Sequence, residues 1–273
     1  VQRTALIQKT PLQGMDSVDQ ELFEQTFSII IPAYNEEQRI GPVLRDISEF
    51  ISRNRLPWQV VIVIEGDDNT ESLVSQFAAK YPFIQYIRSY GRGGKGNAVR
   101  RGARIATGNY VILMDADNSI KFLDVVSALK YLVDSDGIFL SRYVVPNHIP
   151  TIRRFVSRGF NLMVRAFLKI DVKDTQTGYK IIDGRLFRAS ISRVGVTNTF
   201  FDISLIYYLQ RSGARIREVP VAYQHSDGSK FNALAEVMGQ GVSLVAFLIR
   251  HSRFYRYVPR KIVNLYYRKF KWI

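Results

Sequence analysis

Short apolar runs punctuate the chain, each followed by a polar turn and then a stretch with helical character. Residues 27–32, 58–64 and 110–114 are almost continuous in Val, Ile, Leu and aromatic side chains, as expected of strands buried on both faces. Weaker runs at 83–88 and 137–140 read as further strands. Between them, 41–51 has helical apolar spacing, and 71–81, 95–106 and 122–133 read as helices. Farther along, 153–169 reads as an amphipathic helix, 199–211 as a helix and 215–223 as a strand. An apolar helix follows Ser229 and runs to about Ile249. A last helix over 259–271, with Val258 just before it, gathers Val258, Ile262, Leu265 and Tyr266 on one face among basic residues, a pattern suited to lying in a membrane interface.

Strands alternating with helices of these lengths predict βαβ units, hence an α/β fold whose mainly parallel sheet is flanked by helices. The chain divides into a polar, aperiodic arm (1–25), a main body (26–231) and C-terminal amphipathic, basic helices (232–273). In such sheets ligands bind beyond the carboxyl ends of the strands, so the chemistry is sought in the segments that follow them.

Composition narrows the choices. Of 273 residues, 47% are hydrophobic, enough for a sizeable core. With no cysteine, disulfides and thiolate metal sites are excluded. His148, His225 and His251 show no metal-ligand spacing, which argues against zinc. The net charge of +14 is uneven: the last acid is Glu236, and Arg250, Arg253, Arg256, Arg260, Lys261, Arg268, Lys269 and Lys271 follow it. Such a tail seeks phosphate, on nucleic acid or on an anionic membrane. A nucleic-acid binder would set its basic and base-stacking residues on a folded groove rather than an amphipathic helix, so the expected partner is a membrane surface and not nucleic acid. The best apolar run, Val237 to Ile249, is shorter than the ~20 residues of a spanning helix. No signal-peptide pattern opens the sequence, so a cytoplasmic protein lying on a membrane is expected.

The turns after the strands carry the candidate chemistry. After the first, Pro32 ends the strand, and Asn35 and Glu36 stand at a helix start, an arrangement that also suits an ordinary Asn cap with acids in the first turn. After the second come Glu65, Asp67 and Asp68, where a carboxylate suits a nucleobase or ribose and equally a polar turn with an N-cap. After the third, Gly91 to Gly96 opens a helix: glycines admit close backbone approach, a helix N-terminus attracts phosphate, and Lys95 adds charge. After the fourth come Asp115 and Asp117. Two acids beyond a buried strand are costly unless neutralised, and a hard divalent cation bridging to diphosphate oxygens would neutralise them. In an extended segment both would point the same way. Asp202 opens an apolar helix as a base, an acceptor-orienting group or a first-turn acid. The turn 228–230 suits phosphate or solvent.

Eight segments in order resemble the inverting family-2 glycosyltransferases of the GT-A (Rossmann-like) fold: IIIPAYNEE, GRGGKGNAVRRG, VILMDADNSIKF, SRYV, RRFVSRGFNLMVRAFL, DTQTGYKI, FFDISLIYYLQRSGARIREVPV and GSKF. Within that family the resemblance is to the dolichyl-phosphate mannose synthases and dolichyl-phosphate β-glucosyltransferases. It implies that Pro32, Tyr34 and Glu36 line the nucleotide, with Glu65 or Asp67 near the base and Lys95 by the phosphates. It makes Asp115 and Asp117 the metal motif, for Mg2+ or Mn2+. It places Arg142, Lys180 and Asp202 at the reacting centre and Asp174 and Gln176 beside donor or acceptor. Arg154, Ser157, Arg158, Gln176 and Lys230 would face the acceptor phosphate.

Two departures bear on specificity. The family's usual DDGS is EGDD here, so Glu65, Asp67 and Asp68 all remain candidates for the base contact. The residue two after the second metal-motif Asp is Ser119, where mannose synthases usually have Gln. DADNSIKF is closer to the form found in the glucosyl enzymes. The expectation is a metal-dependent inverting hexosyltransferase from a nucleotide sugar, UDP-glucose ahead of GDP-mannose, to a polyprenyl or dolichyl phosphate at the cytoplasmic membrane face. The alternative acceptor is a sugar on a lipid-linked or polymeric chain, but the Gln-x-x-Arg-Trp motif of processive members is absent.

Overall fold

The structure, a computed structural model, describes residues 17–142, 151–223, 233–253, 255–259 and 261; for 17–20, 151–157 and 233–238 the description is of the backbone. Seven strands form one sheet: β1 (Phe27–Tyr34), β2 (Gln59–Glu65), β3 (Ile84–Arg88), β4 (Tyr110–Leu113), β5 (Gly137–Ser141), β6 (Lys180–Asp183) and β7 (Ile216–Pro220). Their order across the sheet is β3-β2-β1-β4-β6-β5-β7. Neighbours are parallel except at β6, which runs antiparallel to both β4 and β5.

The continuous apolar runs are explained by burial on both faces. In β1, Ile29, Ile31 and Ala33 enter one core while Ile30 enters the other, the alternation a pleated strand imposes. On the first face lie α1 (Ser17–Glu24), α2 (Ile40–Asn54), α3 (Thr70–Lys80) and α5 (Phe122–Ala128), through Phe23, Leu44, Val74 and Val125. On the second lie α4 (Lys95–Ala103), α6 (Thr151–Leu168), α7 (Gly184–Ile191), α8 (Phe201–Arg211) and α9 (Ala233–Arg250), through Val99, Val164, Phe187, Leu205 and Phe247.

Several expectations change. Residues 17–24 of the arm form a helix whose Phe23 is buried against Trp58. The helix expected over 122–133 is α-helical to Ala128 and then a 3-10 turn, Leu129–Val133. Pro32 does not end β1: the strand runs on to Tyr34, and Pro32 stays in register with Val63. It is tolerated because pairing to β4 stops at Ile30, so no ladder bond is sought from its missing N–H on that side. β6 and α7 carry no sequence expectation. The final helix expected at 259–271 lies outside the described residues beyond 261. Among the described residues no helix is long and apolar enough to cross a membrane.

This topology concentrates chemistry on one edge. The parallel strands β1, β2, β4 and β5 end there, and the antiparallel β6 begins there, with Lys180 paired to Leu113, two residues before Asp115.

Candidate active site

A chain of alternating charges runs along that edge. Lys95, the first residue of α4, places Nζ 2.9 Å from Asp115 Oδ1 and 3.1 Å from Asp202 Oδ2. The other Asp202 oxygen accepts from Lys180 Nζ at 2.5 Å. Lys180 also donates to the Thr177 carbonyl and is fully buried. Burial opposes ionisation of Asp202, but Lys180 and Lys95 outweigh it and hold its carboxyl below the usual carboxylate range. Burial likewise opposes charge on Lys95, yet Asp115 and Asp202 raise its pKa above the ordinary lysine value. Lys180 is pushed down by burial, with Asp202 pulling the other way. Lys95, Asp115, Lys180 and Asp202, from four separate segments, thus meet in one chain of charges.

The Asp115–Asp117 segment is a turn rather than an extension of β4, and Asn118 adopts φ 57°. The side-chain alternation of an extended strand therefore does not apply to the two acids. Asp115 turns toward Lys95. Asp117 Oδ1 accepts from the Ser119 N–H at 3.0 Å. Tyr179, on the facing segment, joins them: its hydroxyl donates to the Asp115 carbonyl at 3.3 Å and lies 3.5 Å from Asp117 Oδ1. Burial and both acids keep that phenol neutral, well above its ordinary pKa. Glu36 senses the same charges. Burial is the main cause that raises its carboxyl to about 7; Arg39 opposes the rise, and Asp117 and Asp115 add to it. Among the described residues no three His, Cys, Asp or Glu side chains cluster as a complete ion shell. Asp115 and Asp117 nonetheless offer two partly exposed hard-oxygen donors, a chemistry that fits a divalent cation.

At the donor end, the three acids after β2 have separate fates. Glu65 is buried, and its Oε2 accepts from the N–H groups of Gly93 at 2.8 Å and Gly94 at 3.1 Å. Asp68 accepts from Glu37 N–H and Thr70 N–H, both at 3.0 Å. Asp67 is exposed. Gly94 and Gly96 serve the protein's own packing: a β-carbon on Gly94 would meet the Thr197 carbonyl at 2.5 Å, and one on Gly96 the Val196 carbonyl at 2.6 Å. The mouth holds an aromatic–cation pair, with the Arg92 guanidinium 4.9 Å from the centre of the exposed Tyr34 ring.

On the other flank, Arg142 just past β5 grips Asp174 with two side-chain bonds of 2.8 Å and a backbone bond of 3.1 Å. Burial opposes ionisation of Asp174, and Arg142 overrides it, lowering its pKa. The Gln176 amide donates to Gln240 of α9. Arg158 is exposed on α6. The Arg154 and Ser157 side chains and all of Lys230 lie outside the described residues. Tyr179, Gly178, Arg92, Asn161 and Gln240 belong to this constellation without having been singled out. For Gly178 and Tyr179 the available signal was their place between Gln176 and Lys180.

Comparison with known proteins bears on the family and the fold. The sequence model of the family described as Glycosyl transferase family 2 matches residues 28–195. The chain is 26% identical over 250 residues to the dolichyl-phosphate beta-glucosyltransferase of Dictyostelium discoideum, covering 82% of this chain and 74% of that protein. It is 29% identical over 236 residues to the enzyme of the same name from Saccharomyces cerevisiae, covering 78% and 70%. Among solved structures, glucosyl-3-phosphoglycerate synthase from Mycobacterium tuberculosis in complex with UDP superposes with a TM-score of 0.66 at 18% identity, over 88% of this chain and 85% of that one. The same enzyme in complex with Mn2+, UDP-glucose and phosphoglyceric acid gives 0.62 at 17% identity, over 89% and 85%. At these identities the structural likeness concerns the GT-A fold.

Proposed function

The chain belongs to glycosyl transferase family 2, and from that premise we propose that it transfers a hexose, with inversion, from a nucleotide sugar to a polyprenyl or dolichyl phosphate. UDP-glucose is the proposed donor; the names of the relatives, which give glucosyl transfer, support the sugar. The observation that carries the reading is the Asp115–Lys95–Asp202–Lys180 chain at the carboxyl edge of the sheet, where two lysines meet the partly exposed Asp115 and the buried Asp202.

In the proposed reaction an oxygen of the lipid phosphate forms a bond to the anomeric carbon. The bond from that carbon to the diphosphate breaks on the opposite face, and the nucleoside diphosphate leaves with the electron pair. A bound Mg2+ or Mn2+, held by Asp115 and Asp117, would supply Lewis-acid stabilisation of the leaving diphosphate. Lys95 stands at the start of α4, where its ammonium and the positive end of the helix dipole favour the developing negative charge. Lys180 fixes Asp202, and Asp202 fixes Lys95. With both oxygens engaged and a depressed pKa, Asp202 is suited to holding cations in place rather than to taking a proton. None is needed, because a phosphate monoester is already largely ionised near neutral pH. Catalysis then rests on position and on leaving-group stabilisation.

A lipid acceptor calls for membrane contact, proposed here at the cytoplasmic face. Two packed helices each leave an apolar row uncovered: Leu162, Met163 and Phe167 on α6, and Val242, Val245 and Ile249 on α9. Arg158 is exposed midway along α6, and Arg250 and Arg253 are exposed at the end of α9 and just past it. Apolar rows beside cations suit an anionic lipid surface. The basic tail beyond 261 is proposed to extend that contact.

The test is radiolabelled UDP-glucose and GDP-mannose, each offered with a polyprenyl phosphate and Mg2+ or Mn2+, with extraction into organic solvent. Label from UDP-glucose in the organic phase is expected, and it is abolished by EDTA. Label that appears only in a water-soluble or polymeric sugar would overturn the lipid-phosphate reading.

A further inference from the structure

Helix α9 is strongly apolar, yet Gln240 and Ser243, one turn apart on its buried side, are each only 1% exposed. Buried amides and hydroxyls are costly unless their partners are fixed, and here the partners belong to the site. Gln240 Oε1 accepts from the Gln176 amide, and Gln240 Nε2 donates to the Thr199 hydroxyl at 3.3 Å. Ser243 accepts from Asn198 Nδ2 at 3.0 Å, and Asn198 in turn accepts from the Phe200 N–H at 3.0 Å. From α6, packed on α9, the buried Asn161 carbonyl accepts from the Thr175 N–H at 3.0 Å and from the Thr175 hydroxyl.

The bonded residues lie on the two segments that deliver the buried ion pair. Residues 174–177 lead into Lys180, whose ammonium donates to the Thr177 carbonyl. Residues 198–200 lead into Asp202. Gln240 touches both, so one amide spans from the Lys180 segment to the Asp202 segment. Gln176, the segment's half-buried amide, owes its orientation to this bond.

We propose that Gln240 is a positioning residue: acting through Gln176 and Thr199, it holds the acceptor side of the centre in register with the Lys180–Asp202 pair. This rests on the lipid-phosphate reading above. The donor side, built from β1, β2 and α4, has its own bonds through Glu65 and the glycine turn; it meets the segment that Gln240 braces at the Gly96 N–H to Thr197 carbonyl bond of 3.0 Å and at Lys95–Asp202.

The experiment is a double-substitution cycle on the full chain with Gln240→Leu, Gln176→Leu and both together. Leucine keeps the apolar stem and removes the amide. The expected result is that Gln240→Leu lowers kcat/KM for the polyprenyl phosphate about tenfold, as for loss of one oriented buried hydrogen bond. UDP binding, measured by calorimetry with Mn2+, stays within about twofold. The double variant should be no worse than about the worse single, because both remove the same link. Ser243→Ala, which leaves the Gln240 bridge intact, should lower kcat/KM less than threefold. An unchanged kcat/KM in Gln240→Leu overturns the proposal. So does an additive double variant, or a parallel loss of UDP binding, which would mark general loosening of the fold. Absence of lipid glycosylation in the unaltered protein would instead refute the proposed reaction.

Discussion

Gly178 presses its α-carbon against the Asp115 carboxylate so closely that a side-chain carbon at 178 would stand 1.7 Å from Oδ2. No rotation of a methyl group relieves such an overlap, because the atom lies at Cβ itself. Gly178→Ala must therefore push Asp115 out of its place beside Lys95. A displacement of this size at a reacting centre costs on the order of a hundredfold in rate. We expect kcat/KM to fall about that much, UDP binding with Mn2+ to weaken, and the far-ultraviolet circular dichroism to stay unchanged. Retained activity in Gly178→Ala would argue against a role for Asp115 in the metal motif.

The buried pair gives an asymmetric stability prediction. Asp202→Ala leaves the fully buried Lys180 without its counter-ion, with the Thr177 carbonyl as hydrogen-bond acceptor, and stranding a buried charge costs about 3–5 kcal/mol. Lys180→Met should cost less, because Asp202 keeps Lys95 at 3.1 Å. Urea denaturation of the two variants side by side checks the order. A larger loss for Lys180→Met would mean that Lys95 does not compensate.

Glu36 ties stability to pH. Its folded pKa of about 7 lies above the ordinary 4.5, so the folded protein binds its proton more tightly than the unfolded chain does. The resulting stability is fully present below about 4.5 and is lost as pH rises through 7. In metal-free buffer the protein should lose about 1–2 kcal/mol between pH 5 and 8 from this group, less than the bare shift implies because the site is partly solvated. Glu36→Gln should flatten that segment of the pH profile. An identical slope in variant and parent would place the titration elsewhere.

How much of this was legible in the sequence follows from what buries each residue. Strands β1, β2, β4 and β5 are covered on both faces, so they announce themselves as apolar runs. β6 is short and opens on Lys180, a residue type that is almost never fully buried unless paired; its partner, Asp202, is 22 residues away. The family motifs singled out Lys95, Asp115, Lys180 and Asp202: Lys95 and Asp202 stand in the first turns of helices, Asp115 follows β4, and Lys180 opens β6. Their mutual contacts were not legible, since alternation along an extended strand was the wrong geometry for a turn containing Asn118 at positive φ. The glycines of 94–96 were legible as close-approach positions, though not that the approaching surface is residues 196–197 of the same chain. Gln240 was invisible because a single polar residue in an apolar helix carries no periodic signal.

The apolar rows on α6 and α9 predict a lipid contact separable from the chemistry. Leu162→Glu and Val245→Glu alter exposed positions, so stability should hold within about 0.5 kcal/mol. Each removes apolar burial worth about 1.5–3 kcal/mol if the row enters the bilayer boundary. Cosedimentation with phosphatidylserine-containing vesicles should fall tenfold or more in the double variant, with UDP binding preserved. Unchanged cosedimentation would assign the contact to the basic tail, which deletion of residues 250–273 would then reveal.

The three acids after β2 should separate by assay. Glu65 holds two backbone amides of the glycine turn from a buried position, and charge-assisted bonds of that kind are worth about 1.5–3 kcal/mol each; Glu65→Ala should therefore lower both stability and donor affinity. Asp68 satisfies the N–H groups of Glu37 and Thr70, so Asp68→Ala should cost about 1 kcal/mol, as loss of a helix cap does, with a modest change in donor KM. Among the described residues the Asp67 carboxylate has no ion pair or hydrogen bond, and it is exposed near the Tyr34–Arg92 pair. If it meets the nucleotide, Asp67→Ala should raise the donor KM about tenfold while leaving urea stability unchanged. That combination, a KM effect without a stability effect, distinguishes a ligand contact from a brace. The reverse combination at Asp67 would return the base contact to Glu65.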